Sequence, residues 1–427
     1  MAARPEPRML PYGIGQFSLG WALVVLAFMA LLGLGAYAYS RQVIEGDIVT
    51  GMRDLGTMGG APWGLYVAFV VYFVGVSFAG ITVAALVRLM NLQYLRPVSR
   101  MAELLTVLSL VLGALSILAD LGQPLRGLIN LWRYARPMSP FFGTFTLVIS
   151  GYLFASLVYL YLDGRRDAFL MAQQRTRLRW FYRLWAAGYK DTPAERERHE
   201  RTSFWLALAI LPLLITAHST LGFVFGIQVG RPGWYSALQA PGFVVLAGAS
   251  GTGLLIVIAA VLRWVLRERV QLNMRVFSWL SNFMTVLTIT YIYFLLAELL
   301  TTGYAGHGQE AKVTQALLKG QYAWLFWLSV GMVMISLLLG TGQALFKRYS
   351  LALIVLSGVL VNLAAIGKRY LIVVPSLTHG NLLPYPPGSY SPTWVEYSVI
   401  LGLVALGSLV YIGFMKVFPI IEVRQTP

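Results

Sequence analysis

The sequence contains no cysteine and little charge. Without cysteine the chain cannot itself hold an iron–sulfur cluster, a thiolate zinc site, a disulfide or a c-type haem. Its four histidines are His199, His218, His307 and His379. His218 alone falls well inside an apolar run, so a bis-histidine haem within the bilayer is not expected. No haem, iron–sulfur cluster or metal is therefore expected in this chain, and an electron carrier would be organic and bound, or sit on another subunit.

Charged residues make up 12% of the 427 and hydrophobic residues 58%, about half the charge usual in a soluble protein. What the chain does have is a series of apolar runs of membrane-spanning length. Ten spans are read at 17–39, 62–87, 101–120, 141–162, 203–225, 239–262, 276–300, 322–345, 350–367 and 393–415. They are continuously apolar rather than alternating, so helices are expected and a β-barrel is excluded. The first run is too long for a signal peptide and lacks a small-residue cleavage pattern.

The net charge of +16 does not indicate nucleic acid, because no basic stretch carries interleaved stacking aromatics on a soluble module. It indicates orientation instead. Of the 33 Lys and Arg, 23 fall on the side that holds the N-terminus and 10 on the other. The positive-inside rule then places both termini in the cytoplasm. The loop from Asp163 to Arg201 carries ten of the 23 and reads as a lipid-facing anchor or a partner surface.

Spans 2–5 and 6–9 read as two copies of one four-helix unit in parallel orientation. The expected fold is an all-α integral membrane protein with two parallel four-helix repeats and a flanking helix at each end. The divisions are 1–40 (cytoplasmic N-terminus and first helix), 62–225, 239–367, and 393–427 (last helix and cytoplasmic C-terminus). Each repeat keeps an acid and a base towards the extracytoplasmic side: Asp120 with His218 in the first, Glu298 with Lys368 and Arg369 in the second. Ionisable groups near spans are costly and mark functional sites. Asp120 and Glu298 nevertheless also read as helix-end acids reaching water, Lys368 and Arg369 as basic residues snorkelling at a span end, and His218 as a structural hydrogen bond. Gly75, Gly80, Gly222, Gly226, Gly248, Gly251 and Gly253 suit close helix contact or a ligand slot. Tyr66, Tyr72, Tyr291 and Tyr293 could stack on a ring or simply pack. The stretches "GIQVGRPGWYSALQAP" and "THGNLLPYPPGSYSPTWVEYS" suit docking of an extracytoplasmic partner or ordinary interfacial capping.

The segments "APWGLYVAFVVYFVGVSFAGITVAALVRL", "RPVSRMAELLTV", "DLGQP" and "HSTLGFVFGIQVGRPGWYSALQAP" resemble the NrfD/PsrC family over about residues 15–415. These are quinone-interacting membrane subunits of polysulfide-reductase-type molybdoenzyme complexes and of alternative complex III. The resemblance implies a quinone, menaquinone or ubiquinone, bound near the extracytoplasmic face of the first four-helix bundle. It implies a ferredoxin-like iron–sulfur partner there, and through it a molybdopterin or haem subunit. The setting would be a bacterial or archaeal cytoplasmic membrane. Trp63 matches the family's Pro-Trp-Gly opening, and Asp120 the Asp/His-Leu-Gly-Arg-Pro position at the edge of the site. Gln123 replaces the family's arginine there, with Arg126 able to compensate, and Phe78 stands where alternative complex III members carry histidine.

On this reading Trp63, Tyr72, Phe78, Asp120, Arg126 and His218 bind quinone, and Asp120 and His218 are catalytic. Asp120, Glu298 and Lys368 carry protons. A secondary transporter with parallel repeats, or a structural anchor without a quinone site, are the alternative readings.

Overall fold

A backbone crossing hydrocarbon must bond to itself, and the apolar runs accordingly form helices. The computed structural model describes residues 13–55, 62–134, 136, 138, 145–174, 176–267, 271–306, 308–379 and 388–421. The expected tails 1–12 and 422–427, the start of the fourth span at 141–144, and 380–387 of the last aromatic loop lie outside these. Among the described residues ten helices are long and apolar enough to cross a membrane. They are α1 (Leu19–Glu45), α2 (Leu65–Leu89), α3 (Arg96–Asp120), α5 (Phe145–Ala172), α7 (Pro193–Gly226), α8 (Gln239–Val265), α9 (Met274–Ala305), α11 (Ala323–Leu345), α12 (Leu351–Thr378) and α13 (Trp394–Val417). Short helices α4 (Pro124–Tyr134), α6 (Arg179–Ala186) and α10 (Gln309–Leu318) lie between them.

All ten expected spans are present, and three differ most in extent: α5 runs to Ala172, ten residues past the expected end of its span, and α7 and α12 are also longer. Helix α7 starts at Pro193, ten residues before the expected start of its span. Thr192 caps it by accepting from the Glu195 amide at 3.3 Å, and proline suits a first helical position. Much of the basic segment read as a loop is therefore helix. Helix α12 runs to Thr378, eleven residues past the expected end of its span. Lys368 and Arg369 thus lie inside a helix and do not snorkel at its end; Lys368 is paired to an acid on a neighbouring helix, which lets the helix continue through them.

Helix pairing repeats between the halves. In the first, α2 packs on α3 and α7, α3 on α5, and α5 on α7; in the second, α8 packs on α9 and α12, α9 on α11, and α11 on α12. The halves meet with α2 against α8, while α7 leans on α8 and α12 on α2, the exchange that a two-fold axis between α2 and α8 produces. The terminal helices, one at each end of the chain, pair with one another, and α13 also rests on α3, on the side of the first repeat.

Small residues set these contacts. A methyl group at Gly80 would lie 2.1 Å from the Ala102 carbonyl oxygen and from Thr106 Oγ1 on α3, and one at Gly35 would lie 2.8 Å from Gly402 Cα on α13. Gly80→Ala is expected to force α2 from α3 and cost about 1–3 kcal/mol, the range for overpacking. A lowered thermal midpoint of the detergent-solubilised protein checks it, and an unchanged midpoint contradicts it.

Candidate functional site

The face where α3 ends, here called the Asp120 face, gathers acids from three distant parts of the chain. Asp120 is the last residue of α3 and one of its oxygens, Oδ1, is buried with no hydrogen-bond partner. Asp47, in the short turn after α1, and Glu396, in the first turn of α13, are the acids facing it. They are held differently. Gln42 donates to Asp47 Oδ1 at 3.0 Å and to the Ala119 carbonyl at 3.0 Å, and its own carbonyl accepts from Tyr66 at 2.7 Å. Glu396 accepts from the amides of Gly51 at 2.8 Å and Thr393 at 3.0 Å, and from the Tyr390 hydroxyl. Burial first, then the negative charge of Glu396, pushes the Tyr390 phenol far above the ordinary tyrosine range. It stays protonated and so remains a donor to Glu396, while accepting from the Leu65 amide at 2.6 Å. Asp47 and Glu396 are thus bound by donors, whereas Asp120 keeps a free oxygen.

The other expected site residues are dispersed. His218 is 1% exposed, with Nδ1 2.8 Å from the Leu214 carbonyl and Nε2 2.8 Å from the Val74 carbonyl of α2. Phe78 and Tyr152 meet its ring edge to face at 5.0 and 5.9 Å. Both nitrogens face carbonyl oxygens, so His218 ties α7 to α2. Tyr72 donates to Asn362 at 2.8 Å, joining α2 to α12. Trp63 stacks on Trp234 at 5.9 Å, and the Trp234 indole donates to the Ile372 carbonyl at 2.6 Å. The aromatic loop "GRPGWY" therefore turns its tryptophan inward. Arg126 is exposed on α4 and bonds Gln123 at 3.3 Å.

In the second half, Lys368 Nζ lies 3.0 Å from Glu298 Oε2, with both side chains largely buried. Gln239 reaches the other Glu298 oxygen at 3.4 Å. The structure therefore joins Phe78 to His218 and Glu298 to Lys368, and sets Asp120 among residues that sequence reading missed: Gln42, Asp47, Tyr66 as a partner, Tyr390 and Glu396. The one local signal was the Thr393-x-x-Glu396 capping box, which is present but reads only as a helix start.

The family model described as polysulphide reductase, NrfD, matches residues 54–379. A putative membrane subunit of dimethyl sulfoxide reductase from Halobacterium salinarum is 30% identical, over 95% of this chain and 92% of that protein. A subunit of the selenate reductase of Mesobacillus selenatarsenatis is 25% identical, over 94% and 95%. The Hdr-like menaquinol oxidoreductase integral membrane subunit of Archaeoglobus fulgidus is 26% identical, over 95% of each.

Proposed function

The chain belongs to the polysulphide reductase NrfD family, and from that premise we propose that it is the quinone-binding membrane subunit of a respiratory oxidoreductase. In this reading it exchanges electrons between the membrane quinone pool and an iron–sulfur partner docked on the Asp120 face. Relatives named as reductase subunits and as a menaquinol oxidoreductase subunit support it. So does the charge bias, which favours an extracytoplasmic Asp120 face.

The observation that carries the proposal is the orphaned oxygen of Asp120. A buried carboxyl oxygen without a partner is costly, and a ligand that brings a hydroxyl to it would complete its bonding. Bound quinone supplies the two-electron, two-proton chemistry that no side chain here has. Asp120 exchanges a proton with the ligand's oxygen at Oδ1. Tyr66 and Gln42, bonded to each other and to the Ala119 carbonyl, hold the end of α3 beside it. Asp47 and Glu396 supply the next carboxylates, a route for that proton onto the Asp120 face.

Titrating the purified complex with a fluorescent quinol analogue tests this. Saturable binding is expected in the wild type and about tenfold weaker binding in Asp120→Asn, the loss of a charge-assisted hydrogen bond. Equal binding in both would remove Asp120 from the site. Absence of binding in either, with partner subunits attached, would leave this chain an anchor.

A further inference from the structure

The second half contains more buried positive charge than its acids neutralise. Lys368 is paired with Glu298. Arg369, one residue on and 2% exposed, has no carboxylate within salt-bridge reach among the described residues. It lies over the Phe243 ring at 4.1 Å and donates to the Phe243 carbonyl at 3.4 Å. A guanidinium has five N–H donors in a fixed fork, so most of its donors find no acceptor among the described residues. Gly75 of α2 leaves it room, since even an added Cβ there would stand 3.7 Å from its Nη2.

Three adjoining cavities converge on Lys368. One, of about 40 Å³, lies between α9, α10 and α12 and is lined by Glu298, Lys368 and Ser376. A second, of about 20 Å³, is lined by Lys368, Arg369, Tyr291 and Gln239. A third, of about 10 Å³, reaches Tyr291 and Ser329. The hydroxyls of Ser329 and Ser376 are buried and have no hydrogen-bond partner. The surroundings are thus rich in donors: two cations, two orphaned hydroxyls and a tyrosine, against the single acid Glu298. The remaining groups that face the pair electrostatically are Tyr291 and each other. An unneutralised charge in an apolar interior is costly and draws in a counter-charge.

The geometry points to a binding site for a small monovalent anion, of halide size, between Lys368 and Arg369 in the second half. The cavities admit a monatomic ion or a few waters and exclude an aromatic ring. The anion completes the charge balance of Lys368, Arg369 and Glu298 and accepts from the guanidinium donors of Arg369 left without a partner among the described residues, in the cavity that both basic residues line. The Ser329 and Ser376 hydroxyls line the two adjoining cavities. The site is separate from the Asp120 cluster, and its occupation does not depend on quinone.

The test compares thermal unfolding of the purified complex in sodium bromide and in sodium gluconate at one ionic strength. The wild type is expected to show a saturable rise in midpoint with bromide. Arg369→Gln, which removes the excess charge, is expected to lose that response. Glu298→Gln, which adds to the excess, is expected to reach half-saturation at about tenfold lower bromide, a change of one order in affinity. Crystals of the wild type soaked in bromide should show an anomalous peak between Lys368 and Arg369, which decides the matter if Arg369→Gln fails to fold. No bromide response in the wild type, a response that survives Arg369→Gln, or a cavity without the peak would each overturn the assignment.

Discussion

Asp120→Asn is expected to lower quinol turnover by about 10²–10⁴-fold, the usual contribution of a positioned general base, while the complex still assembles. Asparagine keeps the shape of aspartate and can hydrogen-bond, but it cannot take up a proton at physiological pH. The neighbouring acids are poor substitutes. Glu396 already accepts from two amides and a phenol, and Asp47 from Gln42. Asparagine fills the same space and places no charge beside Asp47 and Glu396, so the variant should be about as stable as the wild type. Turnover and thermal midpoint measured on one preparation separate chemistry from assembly. Turnover within about twofold of wild type would show that the proton leaves by another group.

The long elements of the fold were legible because lipid leaves the backbone no alternative to helix, and the apolar runs mark where that constraint applies. What the runs could not show was where α12 ends. Lys368 and Arg369 look like the boundary of a span. One is neutralised by Glu298, seventy positions away in the chain, and the other is sheltered by the Phe243 ring. The Asp120 cluster was half legible for the same reason. An acid before a Gly/Pro break can be seen locally, and Asp120 was. Its neighbours come from the end of α1 and the turns after it, from α2, and from α13 with the residues before it, which meet only in the folded chain: Gly51 and Glu396 are 345 positions apart. No spacing rule connects them, whereas the close approach of Gly35 and Gly402 does, by letting the terminal helices run side by side. His218 and Phe78 were both singled out, but their edge-to-face contact depends on the facing of α2 against α7, which periodicity alone does not fix.

At the opposite end of α3 a second buried charged group should control stability and leave turnover alone. Arg100, 1% exposed, reaches Asp163 Oδ2 at 3.0 Å, Asp167 Oδ2 at 2.7 Å and the Pro419 carbonyl at 2.8 Å, so one guanidinium joins α3, α5 and the segment after α13. Arg88 also pairs with Asp163, and the Phe418 ring covers Arg100 at 5.4 Å. Arg100→Met leaves two buried carboxylates with less than their neutralising charge. Breaking such a group by removing one partner costs about 3–5 kcal/mol, which for a chain of this size lowers the thermal midpoint by roughly 3–10 °C. Arg100→Lys keeps the charge, but one ammonium cannot serve both carboxylates and the carbonyl in the planar fork, so an intermediate loss is expected. Arg100 and Asp120 share α3, twenty residues or about 30 Å apart, and that helix is buried along most of its length. A loosened anchor at one end therefore should not move the other. At a temperature where Arg100→Met stays folded, its quinol turnover should remain near that of the wild type, the reverse of the pattern expected for Asp120→Asn. Loss of both stability and turnover in Arg100→Met would mean that the charged cluster and the Asp120 face work as one unit along α3.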